Sequence, residues 1–92
     1  MRSRYAAYVL ERSDYLMATW HASKRPSRVS FDAGGKWLGL DVRDHQVLDA
    51  SHAEVEFIAR RRDRSGRAIR LHERSRFVRE QGRWYYVDGD WK

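Results

Sequence analysis

The sequence predicts an α+β fold in which N-terminal helices lie on one face of an antiparallel sheet. Three observations predict it. Apolar residues recur at helical spacing as far as Trp20, and at period 2 from Trp37 onward. The alternating segments are joined by short turn signals such as Ser65-Gly66 and Gln81-Gly82, too short for parallel crossovers, so consecutive strands form a meander. Helices first and strands afterwards is a layered α+β order rather than an alternating one.

Residues 3 to 12 read as a short helix, with Tyr5, Tyr8, Val9 and Arg12 on one face at the i, i+3, i+4, i+7 spacing. Ser13 or Asp14 then caps a second helix whose stripe is Leu16, Met17 and Trp20. That pattern gives out before Pro26, which disfavours helix at the residue preceding it. Between Ser27 and Gly35 the signal is weak, with Phe31 as the one anchor and Gly34-Gly35 as a turn. Trp37 to Val42 forms the first strand, Leu38, Leu40 and Val42 sharing a face. Glu54 to Arg62 forms the next, Val55, Phe57 and Ala59 lying opposite Glu54, Glu56 and Arg60. The last two strands run from Leu71 to Gly89 around Gln81-Gly82.

Register follows from the pattern, because a one-residue slip would swap every side chain to the other face. A three-residue loop Arg64-Ser65-Gly66, with Gly66 in the left-handed region, sets Phe57 opposite Glu73 and Val55 opposite Ser75. On the other side Glu56 meets Arg74 and Glu54 meets Arg76. The two-residue loop Gln81-Gly82 sets Phe77 opposite Tyr86 and Arg79 opposite Trp84. Glu73 and Ser75 therefore share the dry face with Val55, Phe57, Leu71, Phe77 and Tyr86. A buried carboxylate must be paired and hydrogen-bonded. Arg4 is its expected partner, tying the first helix to the sheet, with His21 second. The same alternation leaves Ile58, Val78, Tyr85 and Val87 on the outer face, where a homodimer contact is expected.

The 92 residues suffice for one domain, 1–92, and 41% hydrophobic content argues against disorder. The absence of cysteine excludes disulfides, thiolate metal sites and thiol nucleophiles. No apolar run approaches the ~18 residues of a membrane span, and no apolar h-region follows the N-terminus, so a cytoplasmic protein is expected. His21, His45, His52 and His72 lack ligand spacing, so no metal or other cofactor is expected. There is no Gly-x-Ser-x-Gly elbow, and Gly34-Gly35-Lys36 lacks the rest of a phosphate loop. The net charge of +6 and the run from Arg60 to Arg70 point to a polyanion such as RNA or DNA. No aromatics are interleaved there to stack bases, and charged turns also keep strand ends soluble, so a solvated tip is the preferred reading.

Residues 2–9 (Arg-Ser-Arg-Tyr-Ala-Ala-Tyr-Val), 14–21 (Asp-Tyr-Leu-Met-Ala-Thr-Trp-His), 71–79 (Leu-His-Glu-Arg-Ser-Arg-Phe-Val-Arg) and 82–89 (Gly-Arg-Trp-Tyr-Tyr-Val-Asp-Gly) closely resemble the central domain of the bacterial YchJ family. The resemblance covers most of the chain and is weakest between Ser27 and Ser51. It implies the nuclear-transport-factor-2-like fold, a cone of helices closing over a strongly bent antiparallel sheet. Full-length members usually carry flanking cysteine-rich zinc modules of the SEC-C type. This chain lacks cysteine and so reads as either a short stand-alone member or an excised domain.

The expected function is a small binding or structural module, taking a small-molecule ligand or a protein partner between helices and sheet. Tyr5, Tyr15, Trp20, His21, Glu73, Ser75, Trp84 and Tyr86 are the expected lining. The alternatives are an isomerase- or dehydratase-like enzyme with Glu73 as general base assisted by His21, and RNA binding through the Arg60–Arg70 hairpin.

Overall fold

The computed structural model describes residues 2–31 and 34–92. Two short helices, α1 (Arg2–Val9) and α2 (Ser13–Ala18), precede four strands, β1 (Lys36–Asp49), β2 (His52–Arg62), β3 (Ala68–Glu80) and β4 (Arg83–Trp91). The strands form one antiparallel meander in the order β1-β2-β3-β4. No helix among the described residues is long and apolar enough to cross a membrane.

The β2–β3 register is the expected one, with Phe57 opposite Glu73, Val55 opposite Ser75 and Glu56 opposite Arg74. Its tip is organised by Asp63, whose Oδ1 accepts from Ser65 Oγ at 2.6 Å and from the N–H groups of Ser65 and Arg67. Gly66 takes the left-handed φ of 90°. At the β3–β4 turn both Gln81 (φ 52°) and Gly82 (φ 78°) are left-handed, the two-residue turn that matches strand twist, and Phe77 faces Tyr86. One residue later the ladder slips at a bulge, passing Val87, so that Arg76 faces Asp88, Ser75 faces Gly89 and Glu73 faces Trp91.

Three elements depart from the expected pattern. α1 ends at Val9, and Leu10-Glu11 turns the chain, Glu11 with φ 54°. Its buried residues are Arg4 and Ala7, whereas Val9 is 46% exposed. The helix rests on the sheet through the flanking Tyr5 and Tyr8, which meet Trp37 at 5.5 and 5.9 Å between ring centroids. β1 continues seven residues beyond Val42, and bulges interrupt its pairing with β2 at Leu38, Arg43 and Leu48. Leu38 therefore leaves the apolar face and is half exposed, while Leu40 and Val42 stay on it opposite Ala59 and Phe57. Ser13 opens α2 rather than capping it, and Arg12, at the cap position, pairs with Asp14.

The core is Ala7 and Leu16 from the helices with Ala53, Val55, Phe57 and Ala59 from β2. Phe31 joins it edge-on to Tyr8. The outer face carries a charge ladder that makes the expected Glu56–Arg74 pair but re-routes the other, Glu54 bonding Arg74 instead of the directly opposed Arg76. Arg74 bonds Glu54 at 2.6 Å, Asp44 at 3.0 Å and Glu56 at 3.3 Å, while Arg76 turns to Asp88 and Asp90 on β4. Both guanidiniums are held further toward the charged form by these hydrogen bonds, Glu54 contributing most for Arg74 and Asp90 for Arg76. Of the residues expected to pair two copies there, Ile58 is 1% exposed within the fold, while Val78, Tyr85 and Val87 are half-buried.

Candidate functional site

Among the described residues three polar side chains are buried in this small core: Arg4, Glu73 and Ser75. Glu73 and Ser75 sit two apart on β3, so they share a face, and the Ser75 hydroxyl donates to Glu73 Oε2. Tyr86 reaches the same oxygen from β4, its OH donating at 3.2 Å. Burial pushes the Tyr86 phenol well above its ordinary value, and the nearby Glu73 carboxylate adds to the shift. Gly89 makes room for this arrangement. A Cβ built there would lie 2.6 Å from Glu73 Cδ and 2.8 Å from Cγ. Glycine inside a strand marks such a close approach.

Arg4 does not pair with Glu73. Its guanidinium lies over the rings of Tyr86 (4.4 Å) and Trp20 (5.0 Å), and Nη1 donates to Thr19 Oγ1 at 3.1 Å and to the Leu16 carbonyl at 3.4 Å. The Tyr86 ring thus stands between cation and carboxylate, its face to the one and its hydroxyl to the other. Burial pulls the Arg4 guanidinium down from its ordinary value, opposed first by Tyr8 and then by Tyr86.

His21 is kept away from Glu73 by strand geometry. Thr19 and His21 bond the backbone of Tyr86 on the free edge of β4 (2.8 and 2.7 Å), so the chain is extended there and successive side chains point to opposite faces. Trp20 goes inward, edge-on to Tyr86. His21 goes outward beside Tyr85, where Nε2 bonds Glu80 at 3.0 Å. Its Nδ1 accepts from the Ser23 N–H, which assigns the ring proton of the neutral imidazole to Nε2.

Two clefts lie between helices and sheet, with Arg4 and Tyr86 in the wall common to both. The smaller, about 190 Å³, is lined by Tyr5, Tyr8, Trp20, Trp37 and Trp91 with Phe57, Ala59, Leu71 and Glu73. The larger, about 370 Å³, is lined by Ser3, Tyr15, Thr19, His45, Val47, Ala53, Val55, Phe77 and Trp84. The expected lining residues therefore divide. Tyr5, Trp20 and Glu73 fall in the smaller cleft, Tyr15 and Trp84 in the larger, and Tyr86 in both. Ser75 is fully buried behind Glu73, and His21 borders a separate groove with Ser23, His52 and Glu80. Arg4 in the pocket wall, Tyr8, Trp37 and Trp91 were not anticipated as lining. Trp37 was legible in principle, since it begins the alternating run.

Every buried side-chain nitrogen and oxygen among the described residues has a partner. Among the described residues both hydroxyls on Glu73 bond Oε2 and none donates to Oε1, while Arg4 is engaged by the Leu16 carbonyl and Thr19 through Nη1 and also by the Tyr8 hydroxyl. Since no buried polar atom lacks a partner, Glu73 Oε1 is accessible, and Glu73 lines the smaller cleft.

Residues 1–89 match the family model described as the middle domain of YchJ, of nuclear-transport-factor-2-like type. A UPF0225 protein of Polaromonas naphthalenivorans is 72% identical over 90 residues, covering 98% of this chain and 65% of the relative. Another, from Bordetella pertussis, is 58% identical over 91 residues, covering 98% of this chain and 68% of the relative. The chain thus spans about two thirds of the length of these relatives. The solution structure of a SEC-C motif containing protein from Rhodopseudomonas palustris superposes with a TM-score of 0.84 at 38% identity, covering 98% of this chain and 73% of that one. With this match across nearly its whole length, the chain belongs to the YchJ family and corresponds to its middle, nuclear-transport-factor-2-like domain.

Proposed function

We propose that this domain is a binding module for a small, mainly aromatic or apolar molecule carrying a hydrogen-bond donor and an acceptor along one edge. The cleft of about 190 Å³ is its site, in the hollow expected of a cone-shaped fold of this type. One observation carries the reading: an aromatic-walled cleft is lined by both Glu73, whose Oε1 has no donor among the described residues while its Oε2 is fixed by Ser75 and Tyr86, and Arg4, whose guanidinium is anchored by Thr19 and the Leu16 carbonyl. Such convergence of a few fixed polar groups in an apolar recess is how small-molecule sites achieve orientation. The general-base reading has less support, because Glu73 already accepts two hydroxyls and His21 stands on the opposite face.

The test is a screen of aromatic amides and heterocycles by isothermal calorimetry, repeated on Ala59→Leu. Ala59 is 2% exposed and lines the cleft, so the larger side chain fills it. Hits that bind the natural chain and are lost by a folded Ala59→Leu protein support the assignment. Hits that bind both proteins equally, or none at all, refute it.

A further inference from the structure

The outer face of the sheet divides into two electrostatically different halves. Toward the β3–β4 turn, the cations of Arg74 and Arg76 are neutralised by five carboxylates: Asp44, Glu54, Glu56, Asp88 and Asp90. Toward the β2–β3 tip the rows read Lys36–Arg62–Ala68 and Gly39–Arg60–Arg70 across β1, β2 and β3. Lys36, Arg60, Arg62 and Arg70 are all exposed, and none makes an ion pair among the described residues. Among the described residues Asp41, one row further along the face, is committed to Arg43 at 2.9 Å, and Asp63 is committed to the turn. Residues 60 to 70 hold six arginines and one aspartate, five of the six net positive charges; the other 13 cations and 12 acids nearly cancel.

Arg60 and Arg70 face each other directly across the β2–β3 ladder. Like charges so placed destabilise a sheet, and no carboxylate among the described residues pairs with either. Gly39, which completes their row, has no conformational need to be glycine, and a Cβ there would meet nothing within 4 Å. It leaves the arginines unscreened from the side of β1. A local arrangement that costs stability without an internal gain is a mark of function.

We infer that this half-face binds the sugar–phosphate backbone of double-stranded nucleic acid, without reading its bases. Phosphates supply the missing anions, and the exposed cations span three adjacent strands about 4.8 Å apart, an extended set of charges matched to a row of phosphates rather than to a single ion. No aromatic ring stands in these two rows, so unpaired bases would find nothing to stack on, which favours a duplex.

Binding of short RNA and DNA duplexes to this chain is measured by fluorescence anisotropy between about 50 and 200 mM salt. Engagement of about four cations predicts a slope of log K against log salt near −4. Arg70→Glu should lower affinity about tenfold or more and make the slope shallower by at least about one. It should leave the melting temperature unchanged or raised, because Arg60 gains an opposite charge. Arg83→Gln removes a cation at the other hairpin and should leave binding as it was. Failure to bind either duplex at low salt, or equal losses from both variants, overturns the inference. So does a preference for phosphatidylserine vesicles over both duplexes, which would assign the face to a membrane surface.

Discussion

Replacing Gly89 by alanine is the sharpest perturbation of the buried polar cluster, because the change is one methyl group and the backbone tolerates it. Gly89 does not adopt a left-handed φ, and alanine is favoured over glycine inside a strand by about 0.5–1 kcal/mol. With backbone preference alone, Gly89→Ala would stabilise the protein. The new Cβ, however, falls 2.6 Å from Glu73 Cδ and 2.8 Å from its Cγ, well inside van der Waals contact. Glu73 is 8% exposed and bonded to Ser75 and Tyr86, so it cannot move aside without breaking those bonds. Hydrogen bonds to a charged acceptor contribute about 1.5–3 kcal/mol each, and forced overpacking costs about 1–3 kcal/mol. After the alanine preference is subtracted, the loss of one such bond or the equivalent overpacking leaves a net destabilisation of about 1–2 kcal/mol. For a chain of this length that is a fall in Tm of roughly 5–15 °C. Thermal and urea unfolding of a double-mutant cycle with Glu73→Ala isolates the cause. In the Glu73→Ala background, Gly89→Ala should be neutral or stabilising. An equal effect in both backgrounds would refute the proposed contact.

Three further outcomes follow from the same geometry. Tyr86→Phe keeps the ring beneath Arg4 but removes one donor from Glu73, and chemical denaturation should show a loss of about 1–2 kcal/mol. Gln81→Asn, at a left-handed position beside Gly82, should raise stability by a few tenths of a kcal/mol, read as a higher denaturation midpoint at constant slope. Asp63, held low chiefly by Ser65, and Asp90 and Glu56, held low chiefly by Arg76 and His72, add stability fully present above their unfolded pKa of about 4. That stability is lost as pH falls through the lower folded values, so Tm should hold from pH 7 to about 5 and drop below about 4.

The hairpin registers were legible because one face of β2 and β3 is apolar, and only one pairing keeps Val55, Phe57, Glu73 and Ser75 together. The buried Glu73 was legible on the same ground. Its partners were not. Choosing Arg4 treated charge as the deciding term, whereas the cation finds two aromatic faces and the carboxylate takes hydroxyls from its own strand and the next. Ser75, two residues along from Glu73, was a visible clue to that outcome. The opposite fates of Trp20 and His21 depend on the edge pairing with Tyr86, a long-range contact that leaves no local pattern. The extension of β1 was hidden by its three bulges, which break the period-2 signal after Val42. The division of the outer face needed the register of three strands at once. Only then do Lys36 and Gly39 join Arg60 and Arg70.

The four tryptophans offer the most direct test of the binding cleft, because Trp20, Trp37 and Trp91 line the smaller cleft and Trp84 lines the larger. Their indole N–H resonances can be followed in one nitrogen–proton correlation spectrum while an aromatic amide is titrated in. The account predicts saturable shifts of Trp20, Trp37 and Trp91, an unmoved Trp84, and loss of the response in Ala59→Leu. Shifts confined to Trp84, or small and non-saturating shifts of all four, would contradict it.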